Sequence, residues 1–171
     1  MTLLHTALLS EAQIFIEKYK LSKVNSSPKV YTNENIIVVI SGIGKENTYN
    51  ALQYIFDNYT ISKAINIGVS GCSDITMNIG ELFCTNRELQ DINTIGCKTV
   101  DTPQLPDSSV KENSLYDMEA SYFLEIVKQY LDEKDIYIFK IVSDHLDSTI
   151  PKKDFIKKLI FNNFNKISKY V

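Results

Sequence analysis

The chain has 171 residues, 44% of them hydrophobic, enough for one sizeable core in a single folded unit, residues 1–171, without disulfides or a structural metal. Eighteen Lys plus Arg, with Arg87 the sole arginine, stand against twenty-one Asp plus Glu for a net charge of −3, which argues against a surface for duplex nucleic acid. Three separated cysteines (Cys72, Cys84, Cys97) with no CxxC, and two histidines (His5, His145), indicate neither a disulfide framework nor a zinc site, and no apolar run approaches the roughly 18 residues of a membrane span. The apolar start, Met1 to Leu9, lacks the basic residues and cleavage site of a signal peptide, so a soluble cytoplasmic protein is expected, with no membrane or nucleic-acid partner.

Thr2 to Leu8 reads as a buried strand, and Ser10 with Gln13 has capping-box spacing for a helix from Glu11 to about Tyr19. Lys29 to Tyr31 and Ile36 to Ile40 are β-branched runs joined by the polar turn Thr32 to Asn35. After Gly42-Ile43-Gly44-Lys45, apolar residues recur at helical spacing over Glu46 to Asn58. Ala64 to Ile67 is a short strand leaving through Gly68-Val69-Ser70-Gly71, and Gly80 to Thr85 suggests another. From Arg87 to Asn113 the pattern dissolves into a polar excursion with one strand expected at Thr99 to Asp101. Ser114 with Asp117 predicts a capped helix to about Leu131, Ile136 to Val142 a strongly apolar strand, and Pro151 a last helix through about Ser168. This alternation predicts an α/β fold in three layers, a central mixed and largely parallel sheet flanked by helices on both faces. In such sheets the site lies beyond the carboxyl ends of the strands, where Ser10-Glu11, Gly42 to Lys45, Gly68 to Gly71 and Ser143-Asp144 fall.

Within the helix expected from Ser114, Glu119 shares a face with Leu115, Tyr122, Phe123 and Ile126. A carboxylate on an apolar face must meet donors, either protein groups or the hydroxyls of a bound sugar. Asp144 follows a run of core-like residues at a strand end, where half-burial can raise a carboxyl pKa, so it reads either as a general acid or as an Asp capping the next turn with Ser143. Glu11 sits in a first helical turn, where the dipole favours the anion; it is a base or an ordinary first-turn glutamate. Gly42-Ile43-Gly44-Lys45 fits neither a P-loop nor a dinucleotide fingerprint. The cysteines read as small core residues, the histidines as packed or surface groups, and Lys152, Lys153, Lys157 and Lys158 as the solvated face of the last helix.

Together these segments resemble the nucleoside phosphorylase and nucleosidase family that includes purine nucleoside phosphorylase and methylthioadenosine/S-adenosylhomocysteine nucleosidase. The resemblance lies in Ser10-Glu11-Ala12, in Ser41-Gly42-Ile43-Gly44-Lys45 with Asn47, in Asn66-Ile67-Gly68-Val69-Ser70-Gly71, and in Asp117-Met118-Glu119 followed by Ser143-Asp144. It implies a nucleoside phosphorylase-like fold and a nucleosidase-like hydrolase of a purine or modified purine nucleoside. Glu119 would grip the ribose, Met118 would stack beside the sugar, Asp144 would protonate the base and Glu11 would activate water. Gly68, Val69, Ser70 and Gly71 would form a substrate or phosphate loop. Asn66, where phosphorylases commonly carry a phosphate-holding arginine, favours water over phosphate as co-substrate. The implied alternatives are a phosphorylase holding phosphate with Lys45 and that loop, and a non-catalytic nucleoside-binding relative. No metal or cofactor is implied, and a homodimer is. The Arg87 to Tyr116 segment is several dozen residues shorter than in the familiar nucleosidases, where it supplies a strand and a base-clamping aromatic, which leaves Tyr116 and Thr99 to Pro106 as substitutes.

Overall fold

The computed structural model describes residues 1–106, 110, 113–147 and 151–171. Four strands form the middle of its sheet, all parallel and in the order β4 (Ile36–Ile40), β1 (Thr2–Thr6), β5 (Lys63–Cys72) and β10 (Ile136–Asp144). These are the apolar, β-branched runs of the sequence, and covering both of their faces explains why they scarcely alternate. Outside β4 the sheet continues antiparallel through β3 (Lys29–Thr32) and β2 (Ser22–Ser26). Beyond β10 it continues through β6 (Leu82–Cys84) and β7 (Asn93–Thr94). The far end of β5 also pairs with β9 (Ser114–Asp117), which in turn pairs with β8 (Gly96–Thr99).

Helices close both faces, as expected for three layers. Helix α1 (Leu9–Lys18) and α4 (Lys153–Ile167) bury Ala12, Phe15, Ile156 and Ile160 against Leu4, Ile65, Ile67 and Phe139. On the opposite face, α2 (Lys45–Asn58) and α3 (Ala120–Val127) bury Leu52, Ile55 and Phe123 against Leu3, Val39 and Ile138. Each such side chain taken from water contributes about 1.5–3 kcal/mol, so the two faces supply the drive for the fold. Among the described residues no helix is long and apolar enough to cross a membrane.

Ser10 caps nothing: α1 begins at Leu9, and Glu11 reaches back to accept from the Leu8 N–H at 2.9 Å and the Ala7 N–H at 3.1 Å. Gly68 to Gly71 is no exit turn, because β5 runs through it to Cys72, paired on β10. Ser114 to Asp117 is a strand rather than the first turn of a helix. Leu115 lies between Cys72 and Cys97 in neighbouring strands, and that pairing overrides the helical spacing. Helix α3 therefore starts only at Ala120 and is capped by Asp117, which accepts from the Glu119 N–H at 3.2 Å and the Ala120 N–H at 2.7 Å. The strand expected at Thr99 to Asp101 lies earlier, at Gly96–Thr99. Ser22–Ser26 is a further strand, exposed along most of its length, which hydrophobic patterning does not reveal. Positions 107–109 and 111–112 of the polar excursion lie outside the described residues.

Candidate active site

All four parallel strands deliver residues to one cavity of about 460 Å³ at their carboxyl ends. Leu8 and Glu11 follow β1, Ile43 follows β4, Val69 to Gly71 end β5, and Ser143 and Asp144 end β10; Met118 and Glu119 arrive from the β9–α3 junction. The acids Glu11, Glu119 and Asp144 and the residue Met118 thus share one hollow. Gly68 is not part of its lining: a Cβ there would stand 3.2 Å from both Glu11 Oε1 and Lys140 Nζ, so its lack of a side chain makes room beneath the cavity for those two groups.

Glu119 is buried, but not on the apolar face of a helix. It is the N-cap residue of α3, and its Oε1 accepts the Gly44 N–H at 2.8 Å. Gly44 adopts φ +89°, a conformation that suits glycine, and thereby turns its amide toward the carboxyl. Oε2 has no hydrogen-bond partner among the described residues and is available to a ligand. Burial pushes the carboxyl up to about 7, against the pull of the Lys140 charge and the Gly44 amide.

Glu11 is 3% exposed and accepts a third amide, Val69 N–H, at 3.1 Å on Oε1. The helix dipole alone predicts a stabilised anion, yet burial outweighs it: the carboxyl is pushed up despite three backbone donors and the charge of Lys140. Three of about four acceptor positions are used, which leaves room on Oε1 for one more donor such as water.

Asp144 closes the other end. Its Oδ1 accepts from the Leu146 N–H at 3.0 Å and the Asp147 N–H at 3.3 Å, and Ser143 Oγ lies 2.6 Å from Oδ2. The same hydroxyl lies 3.1 Å from Ser70 O, with one proton to give to either acceptor. The pairing of β10 with β5 slips at Ser143, so that Asp144 rather than Ser143 stands opposite Gly71. Asp144 lines the cavity from this irregular end of the strand. Asp144 therefore caps the following turn, as one of its two readings expects, and it also lines the cavity.

One residue of the site carries no signal used in the sequence reading. Lys140, in the middle of β10, is 1% exposed, and its Nζ lies 2.7 Å from Asp117 Oδ2 in an equally buried ion pair. Burial alone would push the Asp117 carboxyl up; Lys140, the Thr99 hydroxyl (2.7 Å) and the Ala120 amide outweigh it and hold the group below its ordinary value. Burial pulls the other way on Lys140, but the surrounding acids hold its ammonium firmly charged. Strand alternation carries the signal: Lys140 is in phase with Ile136, Ile138 and Val142, a core position that a lysine occupies only when paired. His5 lies nearby, fully buried, its Nδ1 accepting from the Asn66 amide at 2.8 Å, and burial pushes its imidazole down to about 3. It is a packed neutral histidine.

Tyr116, Val100 and Pro103 to Leu105, which belong to the segment expected to substitute for the base clamp, line the cavity. The loop is tied down by Val100 N–H to Asp117 O at 2.8 Å and by the Tyr122 hydroxyl to Asp101 Oδ1 at 2.6 Å. Lys45 is not in the lining; its ammonium lies 5.5 Å from the ring centroids of both Tyr49 and Tyr122. Arg87 is also elsewhere, donating to Lys134 O at 2.8 Å with its guanidinium over the Tyr137 ring.

No family model matches the sequence, and no curated protein matches it; solved structures do. The fold is that of the 5′-methylthioadenosine/S-adenosylhomocysteine nucleosidases. Against the Neisseria meningitidis nucleosidase in complex with methylthio-immucillin-A, the TM-score is 0.81 at 15% identity, covering 99% of this chain and 97% of that one. The Colwellia psychrerythraea nucleosidase in complex with adenine gives 0.81 at 14%, covering 99% and 93%. A mutant of the Helicobacter pylori nucleosidase with 5′-methylthioadenosine in its active site gives 0.80 at 12%, covering 99% and 96%. At such identities the likeness is one of fold, and the nucleosidase fold alone fixes no chemistry for this chain.

Proposed function

We propose that the chain is a hydrolase that cleaves the N-glycosidic bond of a purine or modified purine nucleoside. The observation that carries this reading is the meeting of three carboxyls, distant in sequence, around one cavity of about 460 Å³. Cleavage passes through an oxocarbenium-like sugar, so the departing base needs a proton, the sugar needs negative charge nearby, and water needs an acceptor. Asp144 delivers the proton to the base, Glu119 accepts from the ribose hydroxyls with its free oxygen, and Glu11 takes the proton of the attacking water. Met118 stacks beside the sugar, while Tyr116 and the Pro103 to Leu105 loop flank the base. Val69, Ser70 and Gly71 form the edge of β5 against the substrate, with Gly68 beneath them.

Hydrolysis is favoured over phosphorolysis by charge. The lining carries Glu11, Asp117, Glu119, Asp144 and Asp147 and, among the described residues, neither lysine nor arginine. A phosphate dianion placed there would face like charge. Lys45 is held over Tyr49 and Tyr122, and the Val69 amide is already given to Glu11. By the same family resemblance the active unit is a cytoplasmic homodimer; Ile43 and Leu105, each about half exposed at the cavity, are apolar surface that a second copy would cover.

The test is release of free base from a panel of purine nucleosides, with and without phosphate. Release independent of phosphate is expected. Release only with phosphate overturns hydrolysis in favour of phosphorolysis, and binding without release makes the protein a nucleoside-binding relative.

A further inference from the structure

A second cavity, of about 510 Å³, lies beside the first. Ala7 and Leu8 belong to both walls, and the two hollows adjoin again where Gly42 gives way to Ile43 and along the start of α4. Their chemistry differs. The first is lined by carboxylates, whereas among its described lining residues the second has none and is bordered by Lys29, Lys153 and Lys157. Asp154, 3.7 Å from Lys157 Nζ, is 97% exposed and points to solvent.

Two helices begin at this cavity. Leu9 and Ser10 are the first residues of α1, and Lys153 is the first of α4. First-turn amides have no carbonyl one turn earlier to bond, and the aligned peptide dipoles of both helices leave partial positive charge at these ends. Ser10 supplies the independent sign of a ligand. It is only 7% exposed and lines the cavity, and its hydroxyl has no hydrogen-bond partner among the described residues. Free amides, an unpartnered hydroxyl and three ammonium groups around one hollow are donors awaiting a small, multiply charged acceptor.

We propose that this second cavity is a subsite for a phosphoryl group, held by the amides at the start of α1, the Ser10 hydroxyl and the ammonium groups of Lys29, Lys153 and Lys157. The assignment of its source rests on the function proposed above. With the base at Asp144 and the ribose hydroxyls at Glu119, the 5′ substituent faces the wall formed by Leu8, and a 5′-phosphate extends past it into the second cavity. The same chemistry is offered by inorganic phosphate. In either case the Ala7–Leu8 turn stands between the phosphoryl group and the glycosidic carbon, so the group is a recognition element and not the nucleophile.

Calorimetry on the full chain, at fixed ionic strength, compares a purine nucleoside, its 5′-monophosphate and inorganic phosphate. The 5′-monophosphate is expected to bind at least tenfold more tightly than the nucleoside. The combined substitution Lys29→Ala, Lys153→Ala and Lys157→Ala, all at exposed side chains, should erase that advantage, Ser10→Ala should reduce it threefold or more, and the distant Lys166→Ala should keep it. Binding of inorganic phosphate that the triple substitution abolishes, with no advantage for the monophosphate, supports the subsite and assigns free phosphate as its source. A nucleoside that binds while neither phosphate compound gains anything overturns the subsite and leaves the glycosidic reading intact. An advantage that survives the triple substitution, or that Ser10→Ala leaves unchanged, also overturns it. Phosphate binding that depends on the lysines, in a chain that binds no nucleoside, keeps the subsite and discards the glycosidic reading.

Discussion

Asp117 and Glu119 stand two residues apart, both buried, yet their carboxyls are displaced in opposite directions from the ordinary range. Asp117 belongs to the floor of the cavity, where Lys140 lies 2.7 Å away and hydrogen bonds complete the set. Glu119 belongs to the wall, where one amide meets one oxygen and the other oxygen faces the cavity. Burial is common to both; contact with the buried ammonium is what separates them. The floor spends its charge on holding the β9–α3 junction and β10 together, while the wall leaves one carboxyl oxygen of Glu119 without a hydrogen-bond partner among the described residues.

The contrast can be broken at its strongest points first. Asp144→Asn should lower base release by about 10²–10⁴-fold while sparing nucleoside affinity, as loss of a proton donor does; comparable turnover in single-turnover assays would remove Asp144 from the chemistry. On the floor, Lys140→Met leaves Asp117 buried without its partner and should cost about 3–5 kcal/mol in denaturant unfolding. Adding Asp117→Leu should recover part of that loss, and no recovery would mean that the pair is not the floor's main contribution.

Glu119→Gln separates wall from floor. It should weaken nucleoside binding about tenfold or more by calorimetry, because a charge-assisted hydrogen bond is lost, and it should alter how stability depends on pH. A carboxyl raised to about 7 in the folded state holds its proton more tightly there than in the unfolded chain. Its contribution is complete below about pH 4.5 and disappears as pH rises through about 7, by roughly 2–3 kcal/mol. His5, lowered to about 3, works oppositely, favouring the fold above about pH 6.5 and less so on acidification. Relative to the parent chain, Glu119→Gln should therefore lose more stability between pH 7 and pH 5; matching curves would contradict the shift. The smallest effects come from added methyl groups. Gly68→Ala crowds Glu11 Oε1 and Lys140 Nζ at 3.2 Å, and Gly71→Ala crowds Leu146 Cδ2 at 2.8 Å and Asp144 Oδ1 at 3.1 Å. Each should cost about 1 kcal/mol of stability or less and slow base release several-fold by moving the acid it faces.

The four central strands were legible because IIVVI and IYIFKIV admit few other readings. Glu119 was found for a reason that the structure replaces. Its helical neighbours Phe123 and Ile126 do lie on a buried face, but Leu115 belongs to β9, and the donor that Glu119 meets is the Gly44 amide in the loop after β4. No local pattern distinguishes Ser114 to Asp117 as a strand, since its partners lie in β5 and β8. Lys140 was visible in principle as a lysine in phase with core isoleucines; its partner Asp117 was not, because that pairing joins two separate elements. The Tyr116 wall likewise depends on where β9 and the loop from Val100 to Leu105 are carried.

The most direct measurement is single-turnover base release from a purine nucleoside in ¹⁸O-labelled, phosphate-free water, with the sugar product weighed by mass spectrometry. Free base and a ribose carrying one labelled oxygen at its anomeric carbon are the predicted products, lost together in Asp144→Asn. Nucleoside bound in the cavity and recovered intact, or a sugar released without label, would contradict the account.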